Sequence, residues 1–465
     1  MVRLRRWSLG VIASAVLFAG GFAHAQPLAT RPADQEGFST ERLAALDRRF
    51  QAGVDAGEIP GAVVMIARNG RLVYERAFGF ASRADRTPMT TGTLFRLASM
   101  TKPVTSVATM QLAEQGRLTL QEPIATYLPE LKGLKVAVEV TDPATGKRQL
   151  THVAAERQAT VQDLLRHTSG FVYGQFGDGP VHKAATEARI GSPESTTGEM
   201  IGRLAKLPLA HQPGTTFEYS VSTDVLGRLV EVVSGQPLDQ YIEQHIAKPL
   251  GLRSFAFKVP PGYTLALTPD EPGGEGGAQA ARARTPAFLS GGGGMYATAG
   301  DYMRFAQMLL NGGELDGVRI LSPKTVALMT SNHLPPCVVI PPNMRSLLSI
   351  IAPTQEMGQG FGLGFAVRTA AGHNPMPGSV GEYYWAGISG VYFWVDPQER
   401  LVVVSMTAQG KTDVRIRYRQ LARQLVYQAL TTSNPPLPGA ADVQFTACAA
   451  AAPLPAPREA SRPVP

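Results

Sequence analysis

The sequence contains few cysteines and lacks several signatures of common cofactor sites. Only two cysteines, Cys337 and Cys448, occur among 465 residues, and this number excludes a scaffold held together by many disulfides. No two histidines are four residues apart, and the G-x-x-x-x-G-K-[ST] motif does not occur. Neither a helical pair of zinc ligands nor a phosphate-binding P-loop is therefore expected, and we predict no metal and no cofactor.

The net charge is mildly positive, but no stretch of the chain is strongly basic. The formal net charge is +7 at pH 7, with 44 basic and 37 acidic residues. Proteins that bind nucleic acids concentrate positive charge in patches, so we expect no nucleic-acid partner. Hydrophobic residues make up 44% of the chain, which is ordinary for a globular protein and excludes a disordered one.

Residues 1–25 are typical of a secretory signal peptide. Three arginines among the first six residues precede an apolar stretch at 9–22, and Ala23-His24-Ala25 fits an A-x-A cleavage site. We expect cleavage after Ala25 and a periplasmic or secreted protein with no stable membrane anchor afterwards; an uncleaved anchor is the alternative. In an oxidising compartment the two cysteines can pair, and the sequence leaves paired and unpaired thiols equally open.

Two β-hairpins are predicted, one near each end of the chain. The runs Gly61–Arg68 and Arg71–Phe78 flank Asn69-Gly70, which suits a type I′ turn because both residues tolerate positive φ. Near the other end, Val391–Val395 and Leu401–Met406 flank a short polar turn. Both pairs of runs have the β-rich composition expected of strands.

Helices are predicted mainly between these hairpins. A smaller hairpin near Val136–Val140 and a long irregular insertion at 334–360 interrupt the helical region. Apolar residues recur at helical spacing in five places: Thr40–Gly53, Ser99–Gln115, Asp224–Val233, a helix capped by Asp301, and Arg415–Leu430.

These elements predict an α/β (α+β) fold with one domain over residues 26–433. One antiparallel sheet is built from both chain ends and flanked by helices, and a helical lobe is inserted into it. The sheet part covers about residues 38–98 and 295–430, and the lobe covers about residues 99–294. Residues 434–465 are rich in proline and alanine, and we predict a disordered tail there.

The first candidate for catalysis is the pair Ser99 and Lys102. Residues three apart on a helix share one face, so the Lys102 amine can reach the Ser99 hydroxyl. A serine is a poor nucleophile until a neighbouring base activates it, and the Ser99 N–H at a helix start can stabilise an oxyanion. The S-x-x-K pattern alone is weak, because a capping serine and an exposed lysine would also produce it.

The surroundings of Ser99 make this pattern more specific. The stretch LFRLASMTKP at 94–103 is followed by Glu218-Tyr219-Ser220-Val221 and then by Trp385-Ala386-Gly387. In this order they resemble the nucleophile segment, the Y-x-N element and the K-[ST]-G or W-x-G element of the serine β-lactamase-related family. That family contains class C β-lactamases, DD-peptidases and family VIII carboxylesterases. The resemblance covers about residues 38–430 and implies a β-lactamase/DD-peptidase-like fold.

The resemblance also implies a role for the residues that match its first two motifs. Ser99 attacks an acyl carbonyl, and Lys102 and Tyr219 share the work of the general base. On spacing alone, Tyr219 is better explained as a core tyrosine, so its catalytic role depends on the resemblance. His167 is interpreted as a structural histidine rather than a base.

The third motif carries the substrate side of the site and departs from the β-lactamase pattern. The resemblance places Trp385 and Gly387 beside the substrate, and the backbone N–H groups of Ile388 and Ser99 in the oxyanion hole. Trp385 stands where a β-lactamase has a lysine for the substrate carboxylate, and Val221 stands where it has an asparagine. Loss of the cation weakens binding of anionic substrates, whereas W-x-G is usual in family VIII esterases. Trp385 is also explicable as core packing.

We therefore expect an exported serine carboxylesterase with a neutral small-molecule ester or amide as its substrate. A β-lactamase or D-amino-acid peptidase is one alternative, and an acyltransferase is another, because an acyl-enzyme can pass its acyl group to an alcohol. A catalytically inactive binding protein is less favoured, since Ser99, Lys102 and Tyr219 are all present. The oligomeric state is left open.

Overall fold

The computed structural model describes residues 27–142, 144–268, 282 and 284–436. The predicted signal peptide, most of the predicted tail and Cys448 lie outside the described residues. Cys337 is disulfide-bonded. Among the described helices, none has the length and apolar content needed to cross a bilayer.

The described strands, in chain order, are β1 Gly61–Arg68, β2 Arg71–Ser82, β3 Thr87–Pro88, β4 Leu94–Arg96, β5 Lys135–Thr141, β6 Arg148–Ala154, β7 Tyr296–Thr298, β8 Glu314–Leu315, β9 Val318–Arg319, β10 Gln359–Phe361, β11 Ala366–Arg368, β12 Tyr383–Ala386, β13 Val391–Asp396 and β14 Leu401–Thr407. Eight of them form one antiparallel sheet at the centre of the described structure, in the order β10-β11-β12-β13-β14-β1-β2-β3. The β4-β7, β5-β6 and β8-β9 pairs form separate two-stranded ribbons.

The two predicted terminal hairpins are confirmed, and they meet in the middle of this sheet. Asn69 and Gly70 both have positive φ, at 54° and 73°, as the turn between β1 and β2 requires. β1 then pairs with β14, with Ala62 opposite Thr407. The sheet is thus built from both chain ends, and the expected fold class is confirmed.

Every residue of β1, β13 and β14 is buried, so both faces of the central strands are covered. The first and last helices pack on each other, and the helix after β7 packs on β1 and β14. The described α-helices are Thr40–Asp55, Thr101–Glu114, Val161–Leu165, Pro180–Glu187, Thr197–Leu204, Ser222–Ser234, Leu238–Ile242, Lys248–Leu250, Ala299–Leu310, Pro323–Met329, Pro342–Leu348 and Thr412–Tyr427.

Some predicted helix boundaries were wrong. The helix predicted from Ser99 begins at Thr101, after a 3-10 turn over Ala98–Met100. Asp301 is not a helix cap, because the Thr298 side chain is the N-cap and accepts a hydrogen bond from the Asp301 N–H. The last helix ends at Tyr427 rather than Leu430, since Leu430 forms a β-bridge with Phe38.

The insertion at 334–360 is more ordered than predicted. It contains the helix Pro342–Leu348 and two 3-10 turns. Its first part also lies parallel to the chain before Tyr219, where Phe217 N–H donates to Val339 O at 2.8 Å. The smaller hairpin predicted near Val136–Val140 is confirmed as β5 and β6.

A buried ion-pair network joins the sheet to the last helix. Glu382, which is fully buried just before β12, accepts hydrogen bonds from Arg368 Nε and Arg423 Nη1, each at 2.7 Å. The Arg423 guanidinium also lies 5.0 Å from the centre of the Trp394 ring. Buried charges of this kind are tolerated only as pairs with satisfied hydrogen bonds.

Replacing Glu382 by alanine leaves two buried guanidinium groups without a carboxylate. We expect Glu382→Ala to lower the free energy of unfolding by about 3–5 kcal/mol, measured by urea denaturation. The matched control is Glu314→Ala, which removes an exposed ion pair with Arg319 and should cost less than about 1 kcal/mol. Equal losses in the two variants would contradict the importance of the buried network.

Candidate active site

Ser99 lies in a constrained turn between β4 and the helix Thr101–Glu114. The residue before it, Ala98, has a φ of +45°, which is unusual for a residue with a side chain. Ala98 and Met100 are buried, whereas Ser99 is half-buried. The turn therefore leaves the Ser99 side chain as the accessible one of the three.

Lys102 lies in the first turn of that helix and is almost completely buried, with 2% of its surface exposed. Its Nζ donates hydrogen bonds to Gly292 O at 2.7 Å and to Tyr173 Oη at 3.2 Å. No carboxylate among the described residues forms an ion pair with it. A buried ammonium is tolerable only if its N–H groups find acceptors, and neutral oxygens supply two of them here.

Tyr219 lies directly beside the Lys102 ammonium. Lys102 Nζ is 4.6 Å from the centre of the Tyr219 ring, and the rings of Trp385 and Tyr173 lie 5.4 Å and 5.7 Å from it. The Tyr219 hydroxyl is buried and has no hydrogen-bond partner among the described residues. A buried hydroxyl without a partner is rare, and it leaves this oxygen free to exchange a proton.

Tyr173 and Asp224 complete the surroundings of Lys102, and neither was predicted as a site residue from the sequence. Tyr173 Oη donates to Asp224 Oδ2 at 3.0 Å while accepting from Lys102. Burial and the charge of Asp224 raise the pKa of Tyr173 well above its usual value, so this phenol keeps its proton. In the sequence, Tyr173 belongs to no recognised motif, and Asp224 is only the first residue of a predicted helix.

The glycine run 291–294 gives the one sequence signal for this arrangement. Gly292 N–H donates to Asp224 Oδ1 at 3.0 Å, and its carbonyl binds Lys102. A Cβ atom on Gly292 would lie 2.5 Å from Asp224 Oδ2 and 2.7 Å from Tyr173 Oη. Only glycine fits at this close approach, so the backbone itself forms one side of the lysine site.

The W-A-G motif at the end of β12 docks against the residues that precede Ser99. A Cβ atom on Gly387 would lie 2.3 Å from Leu97 O, and Ser389 Oγ donates to Arg96 O at 2.6 Å. The side chain of Ile388, between them, is 47% exposed. Within the described residues, the backbone N–H groups of Ser99 and Ile388 take part in no backbone hydrogen bond, so both donors are available.

The structure brings together some of the predicted site residues and not others. Lys102 and Tyr219 are in contact, and Gly387 lies against the Ser99 turn. No hydrogen bond in the described part of the chain joins Ser99 Oγ to Lys102 or Tyr219. Ser99 lies in the 3-10 turn before the helix that carries Lys102, and Lys102 Nζ donates to Gly292 O and Tyr173 Oη.

Trp385 and His167 lie behind Tyr219. Trp385 is 1% exposed and packs edge-on against Phe361 at 5.2 Å, so it touches the site through Tyr219 rather than as an open wall. His167 Nδ1 accepts a hydrogen bond from Ser220 N–H at 3.3 Å. Burial and the positive charge of Lys102 hold the pKa of His167 well below its usual value, which agrees with a neutral structural histidine.

A buried arginine supports the Gly387 turn from the last helix. Arg419 Nη2 donates to Gly387 O at 2.6 Å. Burial, with a smaller contribution from the charge of Arg415, lowers the pKa of Arg419 to about 9. No group of three or more potential metal ligands is found among the described residues.

Comparison with known proteins identifies the class and then the family. The family model described as Beta-lactamase matches residues 46–427. The protein is a serine hydrolase, and the chain belongs to the Beta-lactamase family. The resemblance inferred from the three motifs is thereby confirmed.

Individual relatives agree with this assignment. Esterase EstB of Burkholderia gladioli is 31% identical over 387 residues, which cover 78% of this chain and 90% of EstB. Protein Rv1367c of Mycobacterium tuberculosis is 36% identical over 365 residues, which cover 75% of this chain and 86% of that protein. The solved structure of EstCE1, described as a hydrolase with promiscuous acyltransferase activity, has a TM-score of 0.67 and 31% identity, covering 83% of this chain and 99% of EstCE1.

The contact between Gly387 and Leu97 O provides a test of the site geometry. We expect Gly387→Ala to lower kcat for ester hydrolysis at least about 10-fold, because the new methyl group must displace the Ser99 turn, and such displacements are costly in catalysis. Gly202→Ala is the matched control, since a Cβ atom there meets nothing within 4 Å. Unchanged kcat in Gly387→Ala would show that the docking is not needed for activity.

Proposed function

We propose that this protein is an exported carboxylesterase that works through an acyl-enzyme on Ser99. The observation that carries the proposal is the buried Lys102 ammonium, which lies 4.6 Å from the centre of the Tyr219 ring. The Tyr219 hydroxyl has no hydrogen-bond partner among the described residues. This pair has the composition of a general base, and the accessible serine lies one turn before it. Ester cleavage needs in addition only donors for the oxyanion and a water molecule for deacylation.

In the proposed mechanism, Tyr219 reacts as a phenolate, and the positive charge of Lys102 beside its ring stabilises that anion before the transfer. As Ser99 Oγ attacks the carbonyl carbon, the phenolate accepts the Ser99 proton and becomes the neutral phenol. The carbonyl oxygen becomes an oxyanion and accepts hydrogen bonds from the N–H groups of Ser99 and Ile388. The proton then passes to the leaving alkoxide, which departs as the alcohol, and water repeats the sequence to release the acid.

Tyr173 and Asp224 hold the lysine in place throughout this cycle. Tyr173 keeps its proton and donates a hydrogen bond to Asp224. Its oxygen therefore stays an acceptor for Lys102. Asp224 is tied in turn to Gly292 N–H and to Ser290 Oγ, at 3.0 Å and 2.5 Å. The negative charge of Asp224 therefore acts on Lys102 through one intervening phenol.

Several features favour neutral substrates with an apolar part. Trp385 replaces the cation that would attract a substrate carboxylate. Tyr173 and Phe176 are partly exposed aromatic residues next to Tyr219, and Ile388 is an exposed apolar residue in the turn after Gly387. The esterase name of EstB favours the same substrate class. Export is proposed from the signal-like pattern at residues 1–25.

Acyl transfer to an alcohol is a second candidate activity. EstCE1, at 31% identity, carries a title that describes promiscuous acyltransferase activity. The same acyl-enzyme serves both reactions, and the acceptor in the second step decides between them. A β-lactamase or D-amino-acid peptidase is less favoured, because the tryptophan leaves no cation at that position.

The substrate class is tested with p-nitrophenyl acetate, butyrate and octanoate measured beside nitrocefin. We expect ester hydrolysis to exceed nitrocefin turnover, and Ser99→Ala to abolish ester hydrolysis because no acyl-enzyme can form. A fluorophosphonate probe should label Ser99 in the parent protein, as read by mass spectrometry. Rapid nitrocefin turnover without ester cleavage would replace the proposal with a β-lactamase. Adding a short alcohol and measuring the new ester tests the transfer reaction.

The general-base assignment is tested separately. We expect Lys102→Ala and Tyr219→Phe each to lower the acylation rate at least about 10²-fold, the usual effect of losing a general base. Stopped-flow measurement of the p-nitrophenol burst gives this rate directly. Tyr263→Phe is the control, because it removes the hydroxyl of a partly buried tyrosine that packs against a separate hydrophobic cluster. Near-normal bursts in both test variants would exclude the assigned roles.

A further inference from the structure

Glu218 is a buried carboxylate that the proposed mechanism does not use. It is the residue immediately before Tyr219, and its side chain is 1% exposed. His182 Nε2 lies 3.3 Å from Glu218 Oε1, and His211 Nε2 lies 3.4 Å from Glu218 Oε2. Among the described residues, these two imidazoles are its side-chain partners, and no arginine or lysine forms an ion pair with it.

The two histidines come from different parts of the lobe. His182 lies in the helix Pro180–Glu187, which follows the segment that carries Tyr173 and Phe176. This ring packs tightly there, since a Cβ atom on Gly177 would lie 2.4 Å from His182 Nε2. Glu218 thus connects the segment that carries Tyr219 to the helix that follows the segment with Tyr173.

His211 adds a third part of the lobe to this connection. Its loop packs closely against Gly170, because a Cβ atom on Gly170 would lie 2.4 Å from His211 O. The same loop bonds to the segment before Gly170 through Gly214 N–H and Thr168 O, at 2.7 Å. The Glu218 carboxylate therefore bridges three backbone segments of the lobe: its own, the helix that carries His182 and the loop that carries His211.

The hydroxyl of Tyr219 does not fix the position of its own ring, because it has no described hydrogen-bond partner. The aromatic rings around it and the backbone on either side do so instead. Glu218 N–H donates to His167 O at 2.9 Å, and Ser220 N–H donates to His167 Nδ1 at 3.3 Å. The Glu218 side chain adds its contacts with His182 Nε2 and His211 Nε2 to these backbone hydrogen bonds.

We propose that Glu218, held between His182 and His211, is a positioning residue that keeps the Tyr219 phenol against Lys102 during acylation. The inference rests on the proposed function, because it concerns the same reaction. Glu218 touches neither substrate nor the reacting atoms and acts through Tyr219. A shift of about 1 Å in a catalytic group is enough to cost about 10²-fold in rate, so a rigid hold on this ring has a large effect.

The carboxylate form of Glu218 is the one present at neutral pH. Burial acts to raise the pKa of Glu218, but the hydrogen bonds and charges of His182 and His211 outweigh burial and hold it below its usual value. A carboxyl whose folded pKa is depressed stabilises the structure above its unfolded pKa and loses that contribution as the pH falls through the folded value. The hold is therefore in place under the conditions of a neutral assay.

The test is a double-mutant cycle between Glu218→Gln and Tyr219→Phe in the full-length protein. We expect Glu218→Gln to lower kcat for p-nitrophenyl acetate at least about 10-fold with KM changed less than twofold, as for a group acting only on the transition state. In the Tyr219→Phe background the same change should have little further effect on kcat, because the hydroxyl it positions is gone. A merely structural role would lower kcat equally in both backgrounds and would overturn the inference.

The control is Glu399→Gln, which breaks an equally buried ion pair between Arg68 and Glu399, with side chains 3% and 4% exposed. It should lower the melting temperature while leaving kcat and KM unchanged. Should Glu218→Gln fail to fold, His211→Asn serves instead, because His211 is 28% exposed, and a several-fold loss of kcat is expected. Unchanged kcat in the folded Glu218 or His211 variant would overturn the inference.

The outcome also separates this inference from the proposed function. If the fluorophosphonate probe does not label Ser99 in the parent protein, the proposed function fails and the role of Glu218 fails with it. If the parent is labelled and cleaves esters while the Glu218 and His211 variants match it, only the positioning role is wrong.

Discussion

The burial of one ammonium group is the constraint on which the rest of this site depends. Lys102 is 2% exposed and carries a charge that the protein interior does not solvate, so neutral oxygens have to replace water. The Gly292 carbonyl and the Tyr173 hydroxyl do this. Asp224 supplies the opposite charge through its hydrogen bond with Tyr173. The glycine run 291–294 leaves the space that this arrangement requires.

The sequence was a good guide wherever a local pattern carries the structure. Asn69-Gly70 marked the turn between β1 and β2, and the three motifs in order identified the family and the fold. Helix ends were less predictable, because distant partners fix them: Leu430 leaves the last helix to form a bridge with Phe38. Threonine and aspartate are both favoured N-cap residues, so residue type alone did not identify Thr298 rather than Asp301 as the cap.

The parts of the site that the sequence did not reveal are those made by contacts between distant residues. Lys102 bonds to residues 71 and 190 positions away, and no periodicity or motif encodes such pairs. Tyr173 and Glu218 are ordinary residues in the sequence, and only the folded lobe shows what they contact. A glycine run is the exception, since it signals a close approach of backbone before its partner is known.

One consequence concerns protein engineering. Ile388 is proposed to act through its main-chain amide, whereas the residue itself is almost half exposed, between two residues that dock against the chain before Ser99. Backbone function and side-chain identity are therefore separable at this position. Libraries at residue 388 that omit proline, which lacks the N–H donor, change the exposed side chain and keep the amide, which makes this position a natural starting point for directed evolution of selectivity.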